Sequence, residues 1–254
     1  MITENTLKKE LKAGKKAIGT FIRINDPAIV EVIGMAGFDF IVIDNEHTAM
    51  SRESMTNLIR AAELSGVTAV VRVRENSAAE ILQALDAGAL GVQVPQVDTY
   101  EEARAVVDRV KYAPTGARGF ASSQRSAGYG NMDAKKYSEI SNHNTMIVSY
   151  CETLKGYENL DEILGIDEID VIFIGPYDLS QAFGVIGEPN HPKVLEAIDV
   201  IISKVKKAGK APGIIAGNAE QAKMWFDKGA QFIALSSDLG MVSTLGKEYI
   251  SKLK

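Results

Sequence analysis

Cysteine is nearly absent from this chain: one residue, Cys151, in 254. A lone cysteine excludes an internal disulfide and suits a reducing compartment, so a cytoplasmic location is expected. Cys151 lies between Tyr150 and Glu152 in the run TMIVSYCE. If those two neighbours face the mouth of a barrel, the thiol faces the opposite side, as a small buried hydrophobe rather than a nucleophile. Histidine is scarce too, at three residues, His47, His143 and His191. A zinc site would more often show several His or Cys ligands. No apolar run reaches the ~18 residues needed to cross a bilayer. The N-terminal MITENTLKKELKAGKK lacks an apolar signal core. Basic charge is not in excess, with 28 Lys and Arg against 33 Asp and Glu and a net charge of -5. Nothing therefore supplies the counterion-release term that a nucleic-acid or anionic-membrane partner requires. Neither a low-complexity linker nor a charge block divides the chain, so one domain over 1–254 is expected.

What is present is an alternation. Apolar, β-branched runs fall at 17–23, 38–44, 68–73, 90–97, 145–152, 169–175, 211–216 and 231–237. Amphipathic segments at helical spacing lie between them, as at 27–36, 52–65, 78–87, 99–110 and 192–208. Ser51, Ser77 and Asn218 stand at N-cap positions, and Gly66, Gly88, Gly209 and Gly229 fall just past helical segments. Near-continuous apolar strands imply a parallel sheet covered by helices. Eight such units in about 250 residues predict a (β/α)8 TIM barrel. An open doubly wound sheet would usually carry a Gly-rich phosphate turn after its first strand, and none is there. The stretch 112–133 is long, Gly/Ser-rich and aromatic, the kind of loop that is often functional.

In such a barrel the chemistry gathers at the C-terminal strand ends. Glu152 ends the fifth strand run and Asp178 follows the sixth, places where a structural protein has no reason to put charge. Two carboxylates on adjacent strands, with few other ligands, suit Mg²⁺, Mn²⁺ or Co²⁺ completed by water and substrate oxygens. Equally, each could form a salt bridge or cap a helix, Asp178 in particular. His47 reads either as a surface loop residue or as a general base. Asp44, Glu46 or Asp86 could orient it, although Asp86 by itself looks like a helix-surface carboxylate. Arg72 sits inside an apolar strand and needs an anionic partner. It either neutralises Glu152 or Asp178, or holds an oxyanion formed in a reaction. Gly175 and Pro176 place a glycine where a ligand can approach backbone, and the N–H groups of 177 and 178 start a short helix suited to a carboxylate. The ends of the last two strands, AGN and SSD, give only a weak phosphate signal.

With these residues assembled, nearly the whole chain resembles the HpcH/HpaI family of class II 2-oxo-acid aldolases, which includes 4-hydroxy-2-oxoheptanedioate aldolase. The resemblance rests on GFDFIVIDNEH, AVVRV, LDAGALGVQVPQV, GARG, CET, VIFIGPYDLS with a downstream NHP, and GKAPGI, in the family's order. It implies divalent-metal-dependent aldol cleavage of a 4-hydroxy-2-oxo acid to pyruvate and an aldehyde through a stabilised pyruvate enolate. It makes Glu152 and Asp178 the metal ligands and His47 the catalytic base, with Asp86 raising its basicity. Arg72 would stabilise the enolate, and the backbone at Tyr177 and Asp178 would hold the pyruvate carboxylate. Asp44 would lie near the aldehyde, at a subunit edge. The resemblance also implies a homo-hexamer, a trimer of dimers exchanging the last helix. No strand interior contains a lysine, which argues separately against an imine mechanism.

The chain departs from the family pattern at three positions. Tyr150 stands where relatives often have glutamine, Tyr177 where they often have alanine, and Arg23 where they often have an uncharged residue. Two rings at the mouth would narrow the aldehyde pocket, and Arg23 or Arg74 would favour an acidic acceptor. The alternatives are an oxaloacetate decarboxylase or acyl-CoA lyase, and a non-catalytic or sugar-phosphate-binding barrel. No basic run offers a groove for the phosphates of CoA.

Overall fold

A computed structural model of the chain describes residues 4–254. Its eight strands are β1 (Ala17–Ile22), β2 (Phe40–Asp44), β3 (Thr68–Arg72), β4 (Gly91–Val94), β5 (Met146–Cys151), β6 (Val171–Ile174), β7 (Ala211–Ala216) and β8 (Phe232–Ser237). They pair in chain order, all parallel, and β8 pairs back onto β1 to close the barrel. The expected (β/α)8 barrel is therefore the fold. Helices follow the strands: α2 (Pro27–Met35), α3 (Arg52–Ser65), α4 (Ala78–Ala87), α5 (Tyr100–Val110), α6 (Ala134–Asn144), α7 (Leu154–Glu158), α8 (Leu160–Leu164), α9 (Pro176–Ala182), α10 (Pro192–Lys207), α11 (Ala219–Lys228) and α12 (Asp238–Ser251). Before them, α1 (Thr6–Lys12) closes the N-terminal end of the barrel, where Leu7 and Leu11 join the inner core.

Strand alternation divides the apolar residues into two cores. Phe40, Val42, Val70, Val148, Phe173 and Phe232 fill the barrel. Ile41, Ile43, Val71, Ile172, Ile174 and Ile214 face the helices. Phe40 stacks on Phe232 with centroids 3.9 Å apart. Gly19 makes that possible, because a Cβ there would lie 2.2 Å from the Phe40 ring. Cys151 belongs to the helix-facing core, as its position between Tyr150 and Glu152 suggested, and burial pushes its thiol up to about 12.

Local signals set the helix ends. Ser51, Ser77 and Asn218 each accept a backbone N–H in the first turn of α3, α4 and α11. Gly66 and Gly88 sit at φ 73° and 107°, the left-handed turn that ends a helix. The fourth strand is shorter than the apolar run 90–97. Pro95 has no N–H to continue the ladder, and Gln96 turns to φ 52°.

The stretch 112–133 is strapped down. Tyr112 packs edge-on against Phe120 and Tyr137, at 5.4 and 5.8 Å. Arg118 lies 4.7 Å over the Tyr112 ring, and Arg125 pairs with Glu63 of α3 at 2.6 Å. At the other end of the chain α12 leaves Leu239, Val242, Leu245, Tyr249 and Ile250 exposed along its length.

Candidate active site

Asp44 and Arg72 are partners in the β2–β3 register, both directed into the barrel at its C-terminal end. That register produces a two-pronged contact, Arg72 Nε to Asp44 Oδ1 at 2.9 Å and Nη2 to Oδ2 at 2.7 Å. Arg72 Nη1 donates to the Tyr150 hydroxyl at 3.1 Å and lies 3.2 Å from Glu46 Oε2. The guanidinium also stacks 4.8 Å over Phe21. Burial opposes its charge, but Tyr150, Asp44 and Glu46 outweigh burial and raise its pKa. Burial likewise pushes the Asp44 carboxyl up, yet Arg72 holds it below the ordinary value.

Arg72 therefore has Asp44 and Glu46 as its anionic partners, not Glu152 or Asp178. Those two carboxylates have no ion pair among the described residues. Glu152 Oε1 accepts the Gln96 backbone N–H at 2.9 Å. Its other oxygen and Asp178 Oδ2 converge above Gly175. A Cβ on that glycine would lie 3.2 Å from Glu152 Oε2 and 3.3 Å from Asp178 Oδ2. Burial, and then the charges of Asp178 and Glu46, raise the Glu152 carboxyl to about 7. Burial raises Glu46 as well, against Arg72 and His47. Together with His47, Arg72 and Gln96, these three carboxylates line one cavity of about 410 Å³. Asp178, Gln181 and Ala182 of α9 line it too, and the N-cap of that helix, Gly175, offers no side chain to its first N–H groups. A point between two acidic oxygens, clear of any Cβ and with neither oxygen in an ion pair among the described residues, fits a hard divalent ion. Among the described residues no group of three or more His, Cys, Asp or Glu side chains forms a complete cage. Such an ion would take its remaining ligands from water and substrate.

A family model for HpcH/HpaI aldolase/citrate lyase matches residues 17–244. The chain belongs to the HpcH/HpaI family. It is 34% identical over 244 residues to 2-dehydro-3,6-dideoxy-6-sulfogluconate aldolase of Pseudomonas putida, covering 96% of this chain and 95% of that protein. It is 35% identical over 240 residues to 4-hydroxy-2-oxo-heptane-1,7-dioate aldolase of Shigella sonnei, covering 94% and 91%. The solved HpcH/HpaI aldolase of Desulfitobacterium hafniense superposes with a TM-score of 0.92 at 30% identity, covering 98% and 96%. As an HpcH/HpaI member the chain is a class II pyruvate aldolase, a carbon–carbon lyase.

The structure distributes the remaining candidates unevenly. His47 lies at the mouth, its Nε2 3.7 Å from Glu46 Oε2. Asp86 is elsewhere: it pairs with Arg118 at 2.7 Å on the outer side of α4, where the 112–133 strap crosses it. Within one chain Asp86 does not meet His47, and the carboxylate beside that ring is Glu46. Asp44 is fully buried under two arginines and holds both guanidinium groups in place. Tyr150 is likewise buried, its hydroxyl held by Arg72 and its ring edge-on to Phe173 at 5.1 Å. Tyr177 stands exposed on the rim. Sequence reasoning missed the part of Gln96. Its only signal was a non-glycine residue following Pro95, where the strand must turn.

Proposed function

We propose that Glu152 and Asp178 hold a divalent metal, Mg²⁺, Mn²⁺ or Co²⁺, and that the chain uses it to cleave a 4-hydroxy-2-oxo acid into pyruvate and an aldehyde. The convergence of these two unpaired carboxylates above Gly175 carries the reading. When bound, such a metal acts as a Lewis acid toward the 2-oxo group. The protein's own groups supply the rest. The first N–H groups of α9, at Tyr177 and Asp178, bind the pyruvate carboxylate. Arg72 stays charged and its orientation is fixed by Asp44, so it meets the oxygen on which enolate charge develops. His47 moves the proton at the aldehyde oxygen, with Glu46 orienting it within the chain. Gln96 keeps Glu152 turned inward.

Six copies assembled as a trimer of dimers would cover the apolar stripe of α12, which is too long to leave in water. No helix among the described residues is long and apolar enough to cross a membrane, which is compatible with a cytoplasmic enzyme.

The test is pyruvate methyl deuteration in D₂O, followed by proton NMR with and without EDTA and each metal in turn. Metal-dependent exchange is expected. Exchange indifferent to EDTA, or missing with every metal, would remove the reading.

A further inference from the structure

Three arginines stand at the mouth, and each is held differently. Arg74 is wrapped by the loop after β2, Nε and Nη2 donating to the carbonyls of Asn45 and Met50 at 3.3 and 3.1 Å. Arg23 gives Nε to Asp44 Oδ2 at 3.0 Å and is partly exposed. Arg72 takes Asp44 as well, but its Nη1 reaches past β4 to the Tyr150 hydroxyl on β5. Under that reach lies Gln93. Val92 and Val94 face the helices, so alternation turns Gln93 into the barrel. Its Cα partners are Arg72 on β3 and Val148 on β5, and Val148 precedes Tyr150 by two residues on the same face. The Arg72–Tyr150 bond therefore crosses above the Gln93 side chain.

Gln93 is 0% exposed, yet neither its amide oxygen nor its amide nitrogen has a hydrogen-bond partner among the described residues. Such an amide costs free energy that an apolar side chain of the same length would not. Val70 and Val148, inward-facing on the flanking strands, are apolar and offer it no partner. The Tyr150 hydroxyl has the complementary need. Its oxygen accepts from Arg72 Nη1 at 3.1 Å, while its own proton has no acceptor among the described residues. Buried polar groups left open beside one another in this way are commonly joined by ordered water. Water there accepts the Tyr150 proton, donates to Gln93 Oε1 and accepts from Nε2. That sets the hydroxyl rotor, with its proton toward Gln93 and a lone pair toward Arg72. With the proton turned the other way, the hydroxyl and the guanidinium would set two donors face to face.

We infer that Gln93, through buried water, holds the Tyr150 hydroxyl as an acceptor for Arg72 and so positions the guanidinium that meets the developing enolate. The kinetic side of this inference rests on the aldolase reading above. The experiment is a double-mutant cycle of Gln93→Met, which keeps the length of the side chain and removes both amide atoms, with Tyr150→Phe. Metal-dependent pyruvate deuteration gives kcat and KM for the four proteins, and urea unfolding in EDTA gives their stabilities. Gln93→Met should lower kcat about tenfold with KM for pyruvate unchanged, because the contact weakened is one made to the transition state. In the Tyr150→Phe background the same change should cost nothing further. The two substitutions should be non-additive in urea as well. A kcat untouched by Gln93→Met, or effects of the two substitutions that multiply, overturns the inference. So does a Gln93→Met protein more stable than wild type at full kcat, the behaviour of an amide with no partner at all. Should wild type fail to exchange the pyruvate methyl group, the aldolase reading falls; coupling in urea then still upholds the link between Gln93 and Tyr150, and additivity still removes it.

Discussion

The two ends of the barrel handle buried charge in opposite ways. At the N-terminal end three lysines are sunk into the protein, and each ammonium has acceptors. Lys8 donates to the Thr145 carbonyl and pairs with Asp170 at 3.1 Å. Lys111 donates to the carbonyls of Asn142 and Thr145, both at 2.7 Å, and Lys210 to those of Ile166 and Ile169. At the C-terminal end Arg72 answers Asp44 and Glu46, but Glu152 and Asp178 have no ion pair among the described residues. The acceptors at one end tie helix ends to strand starts, although burial still disfavours the charges of Lys111 and Lys210. Unsatisfied charge at the other is what a catalytic metal needs.

The sharpest way to break this contrast is to neutralise the unsatisfied end. Glu152→Gln and Asp178→Asn should each lower metal-dependent pyruvate deuteration by roughly a thousandfold. The same Glu152→Gln change should make the metal-free protein more stable at pH 8. The sign follows from linkage. The folded carboxyl titrates near 7 instead of its ordinary 4.5, so its contribution is present below 4.5 and lost as pH rises through 7. Urea unfolding in EDTA at pH 5 and pH 8 measures this; a destabilised variant at pH 8 would contradict it.

Next in size is the satisfied end. Asp170 takes the Ile147 N–H and both Lys8 and Lys12. Asp170→Asn leaves Lys8 buried beside a neutral amide and should cost about 3 kcal/mol in urea unfolding, with deuteration per folded molecule unchanged. A loss of deuteration with full stability would mean that the two ends are not separate.

The last expected effect is a slope. Burial, and after it the charge of Lys8, lowers the Lys111 ammonium from 10.5 to about 7. Between those values the unfolded chain binds the extra proton, so stability should rise with pH by up to about 1.4 kcal/mol per unit. Lys111→Met should flatten that rise in unfolding curves taken from pH 7 to 10.

Much of this was legible in the sequence, and the reasons are local. The eight strands announced themselves because each is buried on both faces and so reads as a β-branched run. Glu152 and Asp178 stood out because each interrupts or closes such a run. Cys151 could be assigned to the helical side by simple alternation. What depended on pairing between distant segments was not legible. Arg72 evidently required an anion, but only the β2–β3 register selects Asp44. Asp86 finds Arg118, 32 residues away, through a loop whose path no periodicity encodes. Arg23 and Arg74 looked equivalent as strand-end cations until the loop after β2 was seen to wrap around one and not the other.

Gly175 admits one more conclusion. Its missing methyl group leaves a clearance of only 3.1 to 3.3 Å to Glu152 and Asp178, tighter than side chains normally accept. Position 175 thus works as a gauge on the mouth of the barrel. An alanine there would force both acidic side chains apart while changing no charge, so the aperture between them is set by a residue that contributes no functional group at all.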